Sequence, residues 1–110
     1  MSQNSIDSKI KELQMLEQQR QIFLMEKQST EVEFNEVSNA IQELNNTNDE
    51  VYKIIGGIMV KSEKKNIIQE LNDKKKILEI KISSLDKQDR ALEARSAKLK
   101  SDFSVSMQKK

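Results

Sequence analysis

A helix started almost anywhere in this chain meets no backbone obstacle until the middle. Proline is absent, and the only two glycines, Gly56 and Gly57, stand side by side. Proline would remove a helical hydrogen bond and clash with the preceding turn, and an interior glycine costs about 1 kcal/mol relative to alanine. Two long helices meeting at one interruption are therefore expected. Around the glycines the periodicity changes. In EVYKIIGGIMVKS, runs rich in valine, isoleucine and tyrosine flank a pair suited to a two-residue turn, whose positive φ values would strain other residues. A hairpin follows, setting Ile55 against Ile58, Ile54 against Met59, Lys53 against Val60 and Tyr52 against Lys61. The chain then divides into an N-terminal coiled-coil helix over 1–49, a β-hairpin over 50–62 and a C-terminal coiled-coil helix over 63–110.

Both flanking segments read in heptads. Ile6, Leu13, Arg20, Lys27, Phe34 and Ile41 recur at sevenfold spacing, and Lys9, Leu16, Phe23, Thr30, Val37 and Leu44 follow three residues behind. The polar exceptions cluster at Arg20, Lys27 and Thr30. After Leu44, NNTNDE offers side chains that compete for backbone hydrogen bonds, and this ends the helix. In the second segment Leu71, Leu78, Leu85, Leu92 and Leu99 repeat without a miss, accompanied by Ile68, Lys75, Ile82, Asp89, Ser96 and Phe103. Asn66 and Gln69 form a candidate capping pair for its start, with a start nearer Ser62 as the alternative. Folding the chain at the glycines sets residue i opposite residue 112 − i and keeps the two seams in phase. It also brings Arg20 and Asp89 into adjacent layers, where an ion pair is expected.

Charge favours the pairing. Residues 1–50 carry four basic against ten acidic side chains, a net of −6, and residues 62–110 carry thirteen against eight, a net of +5. With 35% apolar and 34% charged residues, the chain is too polar to close a thick core around itself. The fold class is mainly α: a long antiparallel two-helix coiled coil joined by one β-hairpin.

The same composition narrows function. Without cysteine or histidine there is no thiolate, no disulfide and no general base that titrates near neutrality, so neither catalysis nor a metal or other cofactor is expected. The opening residues MSQNSIDSK lack a signal-peptide core and no run approaches the roughly 20 apolar residues of a membrane span, which places the protein in the cytoplasm with no membrane partner. Five leucines at sevenfold spacing suggest a DNA-binding zipper, but no basic extension precedes them. Lys74, Lys75 and Lys76 read as a solvated face, so no nucleic-acid partner is expected.

Two apolar features remain. One face of the hairpin carries Val51, Ile55, Ile58 and Val60, and the other Tyr52, Ile54 and Met59. A two-stranded ribbon apolar on both faces is marginal alone in water, so strands of several chains joining into one sheet or barrel are expected. At the opposite end, Ile6, Ile10, Leu13 and Met15 neighbour Leu99, Phe103, Val105 and Met107. That is more apolar surface than one seam needs, and a candidate weak site for exposed apolar chain. A scaffolding coiled coil that never touches unfolded protein is the alternative function.

VYKIIGGIMVKS followed by KKNIIQELNDKKKILEIKISSLDKQDRALE resembles the β-type subunits of the prefoldin family, in the archaeal form, whose layout is helix, one hairpin, helix. The resemblance implies a hexamer of two α-type and four β-type chains, with hairpins assembled into intersubunit β-barrels from which the coiled coils hang. It implies an ATP-independent holdase that takes unfolded client proteins at the coiled-coil tips and passes them to a group II chaperonin. The hairpin residues named above would then build the barrel, and the apolar termini would meet clients.

Overall fold

The computed structural model of the chain describes residues 3–108, and the side chains of 5–105. Four elements follow in order: α1 (Gln3–Asn46), β1 (Val51–Ile55), β2 (Ile58–Ser62) and α2 (Lys64–Gln108). The two helices are 44 and 45 residues long. The chain resolves into two compact units, a terminal unit (Met1–Gln28 with Ser83–Lys110) and a hairpin unit (Ser29–Ile82).

All twelve heptad positions of α1 and all eleven of α2 are buried or half-buried. In the terminal unit Leu16 and Leu85 form the buried apolar layers, with Ser96 buried among the seam positions; in the hairpin unit Val37 and Leu78 do so, with Thr30. Each such leucine or valine contributes about 1.5–3 kcal/mol by leaving water. Few side chains are this deeply covered, so the stability rests on a narrow stripe.

The charged seam residues Arg20, Lys27 and Asp89 of the terminal unit are paired. Arg20 donates from Nε to Oδ1 of Asp89 at 3.0 Å and from Nη2 to Oδ2 at 3.4 Å, with Glu93 Oε2 at 3.7 Å from Nη2. Lys27 Nζ lies 3.2 Å from Asp86 Oδ1, one residue from the partner the 112 − i folding assigns, and Arg90 holds the other oxygen of Asp86 at 2.9 Å. In the hairpin unit Lys75 sets its ammonium 5.4 Å from the centre of the Phe34 ring, a cation–π contact, while Lys74 reaches Glu33 at 3.1 Å. These two lysines thus serve the helix pairing, where a merely solvated face was expected.

The connection is short. Thr47 N–H donates to Glu43 O at 3.0 Å, closing the last turn of α1, and Asp49 N–H donates to Thr47 Oγ1. Lys64 Nζ donates to Thr47 O at 2.7 Å, so the first residue of α2 caps the chain leaving α1. Helix α2 begins at Lys64, and Glu63 O accepts the first amides, Asn66 N–H at 3.1 Å and Ile67 N–H at 3.2 Å. Asn66 is inside the first turn and does not cap it. The expected Asn66–Gln69 cap is corrected accordingly, and the alternative start nearer Ser62 is the one the structure has, because Lys64 and Lys65 are already helical before Asn66.

Candidate functional site

Strands β1 and β2 pair antiparallel in the expected register: Tyr52 with Lys61, Lys53 with Val60, Ile54 with Met59 and Ile55 with Ile58, with Val51 opposite Ser62 added at the open end. Gly56 and Gly57 have φ of 55° and 81°, both in the left-handed region that a two-residue turn of this type demands. A side chain there would be strained even with open space around it.

Cross-strand partners share a face, so the alternation yields two apolar surfaces. One holds Val51, Ile55, Ile58 and Val60; the other holds Tyr52, Ile54 and Met59. Ile54 is 72% exposed, Ile58 67% and Met59 66%, while Tyr52, Ile55 and Val60 are exposed and Val51 is half-buried. Transferring such groups out of water is worth about 25 cal/mol per Å2, and one ribbon has nothing to transfer them to.

An electrostatic clamp fixes the open end of the second face. Tyr52 donates its hydroxyl to Glu50 Oε2 at 2.7 Å, and Lys61 Nζ lies 3.1 Å from Glu50 Oε1. The Tyr52 hydrogen bond, then that of Lys61, holds the Glu50 carboxyl below its ordinary value, and the bond to Glu50, aided by desolvation, raises the Tyr52 phenol. Lys53 is tied to Glu70 of α2 at 2.8 Å. These exposed pairs orient the ribbon more than they stabilise it.

At the terminal end the predicted residues fall into two groups. Ile6, Leu13, Leu99 and Phe103 are half-buried in the seam, whereas Ile10, Met15 and Val105 are exposed; the side chain of Met107 lies outside those described. An open groove beside α1 is lined by Ile10, Leu13, Gln14, Glu17 and Gln18. Sequence reasoning passed over further exposed apolar groups away from the seam, among them Ile22, Met25, Ile77 and Ile80. Apolar side chains at heptad positions that a two-helix seam does not use are the signal that marks them. Among the described residues no cluster of metal-ligating side chains occurs and no helix is long and apolar enough to cross a membrane.

Two long helices, paired within each unit and joined through a single two-strand ribbon, define the class: a coiled-coil hairpin subunit. The chain matches the prefoldin subunit family over residues 7–110. It is 35% identical over 94 residues to the prefoldin subunit beta of Archaeoglobus fulgidus, covering 84% of this chain and 81% of that one. To the prefoldin subunit beta of Saccharolobus islandicus it is 34% identical over 89 residues, covering 79% and 71%. The crystal structure of the prefoldin beta subunit from Thermococcus strain KS-1 matches with a TM-score of 0.88 and 25% identity, over 93% of this chain and 91% of that one. The chain belongs to the prefoldin subunit family, and its single hairpin is the layout of the β subunit.

Proposed function

We propose that this prefoldin subunit divides its work between its two ends, the hairpin assembling the complex and the helix termini holding unfolded protein. Val51, Tyr52, Ile54, Ile55, Ile58, Met59 and Val60 enter a barrel shared with other chains, in a hexamer of two α-type and four β-type subunits. The observation that carries this reading is a ribbon exposed and apolar on both faces, with open edges on either side. Shared strands satisfy the edges and cover the faces together.

Client segments rest on the terminal apolar groups, of which Ile10, Met15 and Val105 already stand in water. Several weak tips around one cavity hold a chain by avidity, and each contact is easily broken, so release needs no nucleotide. The released client passes to a group II chaperonin in the cytoplasm. Removing about ten residues from each terminus is expected to abolish suppression of aggregation of a denatured protein while leaving the mass of the oligomer unchanged. Loss of assembly and activity together would contradict the division of labour; full activity without the termini would place the client contacts elsewhere on the chain, and no suppression by the unmodified oligomer would favour the scaffold.

A further inference from the structure

We infer that the terminal unit carries a second client station on one flank of its coiled coil, a lateral groove for an uncharged, extended apolar segment of unfolded chain. The inference deepens the proposed client-binding function and rests on it. The two flanks of this unit differ. One is lined with charge, with Glu17 bonded to Lys100, Arg20 to Asp89 and Glu93, and Lys27 to Asp86.

The other flank follows a ladder of opposed residues. Glu12 meets Arg95 at 2.6 Å. One heptad from Glu12 the rung becomes Gln19 and Gln88. It is uncharged, and Gln88 Nε2 donates along its own helix to Ser84 Oγ at 3.4 Å. Beside this rung opens a groove of about 360 Å3 lined by Gln19, Ile22, Phe23, Gln88, Ala91 and Leu92.

Its occupant follows from chemistry and size. The lining offers no charge to a charged ligand, so an ionised side chain would lose water without gaining a partner, whereas an apolar one is favoured. The volume is at the lower end of the roughly 300–1,000 Å3 of small-ligand pockets. The groove spans about one turn of each helix, between Gln19 and Phe23 and between Gln88 and Leu92, a length matched by a short extended segment. Met15 stands one heptad, about 10 Å, from Ile22 on the same helix face, and both are 61% exposed, so the groove continues the apolar tip.

Fluorescence anisotropy with an uncharged, Gly/Ser-flanked Phe-Leu-Phe peptide tests the station in the full-length chain. Ile10→Asp and Met15→Asp with Val105→Asp block the tip at its exposed positions. The peptide should still bind this tip-blocked chain. Restoring the rung with Gln19→Glu and Gln88→Lys should then weaken binding about tenfold, with helical content and oligomer mass unchanged. Ile22→Gln should repeat the loss without adding charge. Peptide binding that these variants leave unaltered overturns the station while the tip reading stands. Losses from the groove variants but none from the tip variants keep the station and overturn the tip assignment. No binding to the unmodified chain overturns both.

Discussion

Glu50 shows how one side chain can couple hairpin geometry to pH. Its folded-state affinity for protons is depressed, so the unfolded chain takes up a proton first. The clamp's contribution is therefore complete above the ordinary carboxyl value of 4.5 and is lost as pH falls through the lower folded value. Tyr52 has the opposite sense. Its proton is held more tightly in the folded chain, so that contribution is complete below the ordinary 10.0 and is lost as pH rises through the higher folded value. Tyr52 is the single tyrosine, and tryptophan is absent, so phenolate absorbance reports this group alone. The titration midpoint is expected above 10.0 and should move down in Glu50→Ala; a midpoint unmoved by the substitution would contradict the clamp.

Within the helices, the seam was legible because burial in a coiled coil follows heptad position directly. Even Arg20, Lys27 and Thr30, which depart from apolar character, occupy seam sites, and the Arg20–Asp89 bond is the one that folding the chain at Gly56-Gly57 anticipates. Less could be read on the flanks. Whether Lys74 is solvated or bonded depends on what faces it across the pair, and the cation–π seat of Lys75 depends on the position of the Phe34 ring. The start of α2 at Lys64 agrees with the reading that placed it nearer Ser62, and only the Asn66–Gln69 capping pattern misled, since that pair lies inside the first turns. Ser96 completes the element scale. It is buried at a seam position with no hydrogen-bond partner for Oγ among the described residues. Ser96→Ala removes that orphaned hydroxyl and improves helix propensity, so it should stabilise the chain by about 1 kcal/mol. A higher urea midpoint at constant slope is the expected result, and a lower one would show the hydroxyl to be satisfied in solution.

At the scale of the molecule, the deepest burial lies along a thin helical stripe while the hairpin leaves two apolar faces in water. The hairpin register was legible because a Gly-Gly turn fixes pairing on both sides of it. Which chains cover those faces is not written in one sequence, since a ribbon of two strands specifies its edges without naming its neighbours. Terminal apolar groups could be named from sequence, but their division into seam residues such as Leu13 and exposed ones such as Met15 required the folded pair. The central claim, that the hairpin makes this chain a part of a larger assembly, is tested most directly by native mass measurement with and without an α-type chain. The account predicts a complex of two α-type and four β-type chains that Ile54→Asp with Ile58→Asp dissociates. A stable monomer of the unmodified chain under both conditions would contradict it.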